Sequence, residues 1–358
     1  MSSSELQFRP MDPGVGGDLA LFKRCFDSNG SPRREDEVAW EYRDNPAGHA
    51  VVQFAVDADG AEEKLAATYA VSPRTFKVGD AVVPAVQSID TMTDEAHRGK
   101  GLFLTLARDV YQRCADAGMP FVYGFPNGKS AHGFFNRLGW RAMDPVPFLF
   151  RPLRTKYFLR RAGIPAGILR FVPEIRLPHG RGPALPGSQR VEPVQRFDAR
   201  FDELWAEFAA GIGVGIHRDS RYLAWRFQKP VEEYHTLGCF EGDRLLGFVV
   251  YTVKEKHGGR VGYVMELIHR PGMQWVGEAL LGHAVDAASR DGADVLLAWC
   301  MEHSPNYAAY RGRGFHPLPE RARPIELHFG VAPLGDAVDP ALTERTSWYL
   351  SYCDSDTV

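Results

Sequence analysis

One stretch of the sequence concentrates residues able to hold an anion: Thr91-Met92-Thr93-Asp94-Glu95-Ala96-His97-Arg98-Gly99-Lys100-Gly101-Leu102-Phe103. Alternating apolar residues lead into it and an amphipathic run follows. A strand, a polar turn and a helix start are therefore expected in that order. The first turn of a helix leaves its N–H groups unpaired and outward-facing, and the helix dipole adds positive potential there. Gly99 and Gly101 let the main chain approach an oxyanion closely, while Arg98 and Lys100 add charge suited to phosphate oxygens. A dinucleotide-binding loop is the sharper competitor and fails, because Gly-x-Gly-x-x-Gly is absent. The plain competitor is a helix that happens to follow a glycine-rich turn.

The elements that must position this segment appear twice. Trp40-Glu41-Tyr42-Arg43-Asp44-Asn45-Pro46 has a later counterpart in Trp225-Arg226-Phe227-Gln228-Lys229-Pro230. Phe134-Phe135-Asn136-Arg137-Leu138-Gly139-Trp140 has one in Tyr310-Arg311-Gly312-Arg313-Gly314-Phe315, each a helix end closed by a glycine C-cap. Two landmarks in the same order argue for internal duplication. Between them, strands are expected at 51–56, 65–72, 81–93 and 121–125, with a helix near 102–117. In the second half they fall at 236–240, 245–254, 261–268 and 294–300, with a helix at 276–289. This is a mixed α/β pattern of strands preceding helices. From about 151 to 190 Pro, Gly and Arg dominate, as in a linker.

Composition bounds what the pattern can be. Apolar residues make up 44 % of the 358 and charged residues 24 %, the balance of a globular protein with more than one core. A net charge of −3 supplies no field to recruit nucleic acid. No apolar run approaches the roughly 20 residues a membrane helix needs. Met1-Ser2-Ser3-Ser4-Glu5 has no signal-peptide character, and the five scattered cysteines lack metal-ligand spacing. A cytoplasmic location and no metal are expected.

The segment around Arg98 resembles motif A of the GNAT acyltransferases, Gln/Arg-x-x-Gly-x-Gly/Ala. Arg98 and Gly101 fill the first and fourth places, and Phe103 departs at the sixth, where a small residue is expected. Asn127 resembles the asparagine that often contacts the coenzyme arm, and Phe135 through Trp140 resembles the family's Tyr-x-x-x-Gly-Phe ending. The likeness spans about 6–153, with a weaker copy over about 190–329.

The resemblance implies a fold of two tandem GNAT-like domains, the second degenerate. The expected boundaries are a coenzyme-binding domain at 1–153, a linker at 154–189, the degenerate copy at 190–330, and a tail at 331–358 that docks on the body. It implies acyl-CoA, acetyl-CoA by default, as co-substrate. Thr91, Met92 and Thr93 would give main-chain contacts, and Arg98, Gly99, Lys100, Gly101, Leu102 and Phe103 the pyrophosphate cradle, with Asn127 beside the arm. His269-Arg270-Pro271-Gly272 lacks that cradle, so one coenzyme site is expected. The acceptor would be a small amine, an amino sugar being favoured, with homodimerisation left open.

Direct transfer needs a neutral amine, a proton acceptor and support for the oxyanion. Asp90 is the base candidate, with a structural carboxylate as the competing role. Phe135 occupies the usual tyrosine place, so Tyr123 is the candidate acid, unless the thiolate leaves unaided. His132 is a weaker base candidate. Trp40, Tyr42, Trp225 and Phe227 read either as groove lining or as core. The aromatic tail, Ser347 to Asp356, asks for burial. A non-catalytic acyl-CoA sensor and an aminoacyl-tRNA-dependent transferase are the alternatives; the lack of a basic excess argues against the second.

Overall fold

The computed structural model describes residues 6–57, 63–161, 163–178, 182–323, 325–335 and 339–357. The expectation about residues 1–5 and the centre of the Pro/Gly/Arg-rich run at 179–181 lie outside these. The chain divides into two compact units. One comprises Met1–Pro145, Trp225–Glu232 and Glu326–Arg345; the other comprises Val146–Ala224, Glu233–Ile325 and Thr346–Val358.

The first unit is built on β1 (Gln7–Pro10), β2 (Val51–Asp57), β3 (Lys64–Val78), β4 (Ala81–Thr93), β5 (Phe121–Gly124) and β6 (Arg141–Ala142). A late strand, β15 (Gly330–Pro333), inserts between β5 and β6, giving the order β1-β2-β3-β4-β5-β15-β6. Only β4 and β5 run parallel within this path. Helices α1 (Gly16–Ser28) and α2 (Glu35–Tyr42) bury Leu21, Phe22, Phe26, Val38 and Tyr42 with Val52, Phe54, Ala70 and Ile89 of the sheet. Helix α3 (Leu102–Asp116) turns Leu102, Leu106, Ala107, Val110 and Cys114 inward, the spacing of one helical face. With Phe134 of α4 (Ala131–Arg137) these pack on Tyr69, Val86 and Val122 in a separate core cluster. Each buried Val, Leu or Phe among them stabilises the fold by roughly 1.5–3 kcal/mol. Both groups of helices therefore fix β4, the strand that leads into the cradle.

The second unit repeats the plan with β7 (Phe148–Pro152), β8 (Arg190–Pro193), β10 (His235–Glu241), β11 (Arg244–Lys256), β12 (Gly259–His269), β13 (Val295–Trp299) and β14 (His316–Pro317), and it also holds β9 (Val214–Ile216), which lies outside its seven-stranded sheet. Its sheet runs β14-β7-β13-β12-β11-β10-β8, again with one parallel pair, β12 with β13. Strand β9 bridges to Trp348. The helices are α5 (Thr155–Arg161), α6 (Ala166–Leu169), α7 (Ala199–Ala209), α9 (Gln274–Arg290) and α10 (Tyr307–Gly312), with α8 (Ser220–Arg226) belonging to it up to Ala224. In each sheet the strand beside the parallel pair is supplied from the other half of the sequence: β15 lies on β5, and β7 on β13. The first part of the Pro/Gly/Arg-rich run is thus not bare linker, since it carries α5 and α6. The sequence expectation of a mixed α/β fold with two GNAT-like halves describes this architecture.

Candidate active site

Strands β4 and β5 are paired only at Val86↔Val122, Gln87↔Tyr123 and Ser88↔Gly124. Beyond Ser88, β4 runs on to Thr93 while β5 stops at Gly124, so the two part and leave a gap with Ile89 to Thr93 along one edge. Gly124 sits at the vertex because a Cβ there would meet the Ser88 carbonyl oxygen at 3.2 Å and the Trp140 ring at 3.2 Å. A buried chain of hydroxyls stiffens the vertex. Ser88 Oγ lies 2.8 Å from Tyr69 Oη, which lies 2.7 Å from Tyr111 Oη, and Trp140 Nε1 donates to Tyr111 at 2.9 Å.

Just past the vertex β4 bulges. Its register on β3 steps from Ala70↔Ile89 to Thr68↔Met92, so Asp90 and Thr91 together oppose Tyr69. Asp90 takes φ +43°, a left-handed conformation that aspartate tolerates better than most residues. Bulges of this kind re-aim a side chain and end regular pairing. Asp90 is held by Arg33 Nη2, which donates to Oδ1 at 2.6 Å, and by Tyr42, whose hydroxyl donates to Oδ2 at 2.5 Å. Burial, and then the charge of Asp90, push the Tyr42 pKa well above its ordinary value, so Tyr42 stays a donor.

The chain then passes the short turn Glu95–His97 into Gly99 and Gly101, at φ +77° and +78°, where an added Cβ would meet nothing within 4 Å. Gly101 caps α3 without a side chain. Among the described residues, the N–H groups of Gly99, Lys100, Gly101, Leu102 and Phe103 donate to no internal partner and remain available as donors. The Arg98 side chain is 63 % exposed, with Glu95 at 3.5 Å, and Lys100 is exposed as well. Phe103, at the place where motif A calls for a small residue, packs on Tyr69 and Phe134. Helix α4 makes room for it with Gly133, where a Cβ would come within 2.7 Å of the Phe103 ring.

On the far side of the gap, Asn127 follows β5. Its Oδ1 accepts from Lys129 N at 3.0 Å and Ser130 N at 3.2 Å, while its Nδ2 makes no bond among the described residues. Thr91, Met92 and Thr93 lead through the Glu95–His97 turn into 98–103, and Asn127 lies three residues past the end of β5. Tyr123 lies elsewhere: it is wholly buried one register step before the vertex, its hydroxyl donating to Gln87 Oε1 at 3.1 Å. His132 Nδ1 is 3.1 Å from Asn136 Nδ2, a pairing along the surface of α4. Phe135 meets His328 edge-on at 5.9 Å.

The groove reading of the repeated aromatics gives way to packing. Trp40 and Trp225 stack at 4.4 Å, and each indole donates to the other's backbone carbonyl, at 2.9 and 3.1 Å. Tyr42 and Phe227 are buried. The five cysteines are free and buried; burial pushes Cys25 up to about 11 and Cys114 up to about 12, so neither supplies a thiolate near neutral pH. No group of described residues could hold a metal ion, and no described helix is long and apolar enough to cross a membrane. Sequence reading missed Arg33 and the Tyr69 network, although the seven-residue step from Arg33 to Trp40 and from Arg218 to Trp225 carries a signal for the former.

Residues 17–143 match the family described as acetyltransferase (GNAT) domain. Among solved structures, N-myristoyltransferase of Saccharomyces cerevisiae with bound myristoyl-CoA is 14 % identical, with a TM-score of 0.59 over 92 % of this chain and 83 % of that one. A GCN5-related N-acetyltransferase from Anabaena variabilis is 12 % identical, with a TM-score of 0.61 over 92 % and 73 %. A probable N-acyltransferase from Enterococcus faecalis V583 is 11 % identical, at 0.60 over 92 % and 73 %. At these identities the likeness is one of fold. No curated protein matches in sequence. Residues 17–143 thus match a GNAT acetyltransferase domain, and the likeness of the whole chain to these structures is one of fold. The matched domain lies wholly within the unit that holds the parted strands and the N–H cradle.

Proposed function

We propose that this protein transfers an acyl group from acyl-CoA, with acetyl-CoA the default donor, directly to the amine of a small acceptor such as an amino sugar or another amine metabolite. The observation that carries this reading is the run of five available N–H groups from Gly99 to Phe103, joined to the open edge of β4. The cradle takes the pyrophosphate, the edge at Thr91 to Thr93 takes the pantetheine as an extra strand would, and Asn127 Nδ2 faces the arm. A backbone amide near Met92 supports the thioester oxyanion. Asp90, beside the vertex, takes a proton from the acceptor ammonium directly or through water. The neutral nitrogen attacks the thioester carbon, the C–S bond breaks, the nitrogen releases its second proton as the amide forms, and the thiolate, at a reference pKa of about 8.5, leaves and takes up one proton. Tyr123 is the candidate donor of that proton; its bond to Gln87 means it must turn to serve. The second unit carries no coenzyme, and five unpaired cysteines favour a cytoplasmic setting.

Binding is read by thermal unfolding. Acetyl-CoA at one hundred times its Kd adds about 2.7 kcal/mol to stability, so a clear rise in Tm is expected. No rise with acetyl, propionyl or longer donors contradicts the reading. Phe135 in the tyrosine place favours a second reading, an acyl-CoA sensor without turnover. Product formation across a panel of amines separates the two.

A further inference from the structure

The two repeats place an arginine–carboxylate pair at the same point, and the second shows what such a pair binds. Arg33 and Arg218 each stand seven residues ahead of the tryptophan of their repeat, Trp40 and Trp225. Asp90 and Glu266 each lie two residues past the last parallel pair, Ser88↔Gly124 in one sheet and Val264↔Ala298 in the other. Arg33 Nη2 donates to Asp90 at 2.6 Å, and Arg218 Nε donates to Glu266 at 2.5 Å. Each carboxylate also accepts from a tyrosine hydroxyl at 2.5 Å, Tyr42 on Asp90 and Tyr349 on Glu266.

In the second unit the C-terminal segment completes the arrangement. Arg218 Nη2 donates to both oxygens of the Asp354 carboxylate, at 2.8 and 2.7 Å, and the Ser351 hydroxyl donates to Glu266 at 2.9 Å. The segment thus brings a carboxylate to the arginine and a donor to the acid, and all four side chains are buried. In the first unit the pair stays partly accessible, with the Arg33 side chain 31 % and that of Asp90 14 % exposed, Asp90 lying two residues past the last β4–β5 pair. A zwitterion matches such a pair in the same sense as the tail: carboxylate to guanidinium, ammonium to carboxylate. The 2.6 Å contact between Arg33 and Asp90 keeps the two ligand charges close together.

Resting on the acyl-transfer reading above, we infer that Arg33 and Asp90 form the acceptor subsite, and that the acceptor is an amine carrying a carboxylate beside its amino group, the chemistry of an amino acid. Arg33 sets this specificity; Asp90 meets the amine. The test uses the full chain with acetyl-CoA and follows CoA release with matched acceptors: free amino acids, their primary amides, and an amino sugar without a carboxylate. Free acids are expected to exceed their amides by about tenfold to a hundredfold in kcat/KM, the worth of a hydrogen bond to a charged group. Arg33→Gln should bring that ratio close to one, mainly through KM, and leave the acetyl-CoA-induced rise in Tm unchanged. Arg33→Lys, which keeps the charge and loses the planar fork, should give an intermediate ratio and still reports if Arg33→Gln folds poorly. Amides or the amino sugar used as well as the free acids overturn the inference. So does a ratio that survives in Arg33→Gln, or a free-acid set left unacylated while acetyl-CoA binds. Failure of acetyl-CoA to bind instead removes the acyl-transfer reading itself, and this subsite with it.

Discussion

The two units share the same order along a seven-strand path, one parallel pair within it and an arginine–carboxylate contact, yet in the second the C-terminal segment packs where the parallel strands part. In the second unit Tyr352 stacks on Trp299 of β13 at 4.6 Å and meets Tyr263 of β12 edge-on at 5.3 Å, at the level where those strands part. Trp348 through Asp354 are all at most 2 % exposed. The helix start there is altered as well. Pro271 has no N–H to give, Met273 N is already bonded to Arg270 O at 3.1 Å, and Arg270 is buried against the Leu245 carbonyl and Glu207. The second repeat therefore covers these elements with its own tail, and on the proposed function the first uses them for a ligand.

The comparison is most severely tested at the two arginines. Arg218 is fully buried between two carboxylates, so Arg218→Met leaves both without their cation and should cost about 3–5 kcal/mol, read by urea unfolding. Arg33→Gln breaks a partly exposed pair and should cost about 1 kcal/mol or less. Equal losses at the two sites refute the claim that one pair is structural and the other functional. Next in size is Asp90→Asn, which keeps shape and removes proton acceptance. If Asp90 is the base, kcat should fall by roughly 10²–10⁴, with Tm and donor affinity nearly unchanged and partial rescue at higher pH as more amine becomes neutral. A stable, nearly fully active Asp90→Asn transfers the role to water or to Tyr123.

How much of this was legible in the residues differs by level. Strand 81–93 and the helix from Leu102 stood out because their apolar periods differ sharply, and the glycines between them marked a cradle. The repeated tryptophans and aromatic–glycine endings exposed the duplication, though their mutual stacking did not show. The exchange of β7 and β15 was not legible, since alternation marks a strand without saying which sheet edge it joins. Most of β15, residues 331–333, accordingly read as the start of a tail. The bulge at Asp90 was hidden too, because an aspartate at positive φ is spelled like any other. Burial of the tail followed from its aromatics, whereas the Asp354–Arg218 pairing needed the fold.

The most direct measurement of the central claim is a calorimetric titration of acetyl-CoA into the full chain and two variants. The expected stoichiometry is one per chain. Gly101→Asp, which sets a like charge against the pyrophosphate at the open cradle, should weaken binding by about a hundredfold. Gly272→Asp, at the matching left-handed glycine of the second unit, should leave affinity within about twofold of the parent. Two sites per chain, or equal losses from the two variants, contradict the account of one open and one filled cleft.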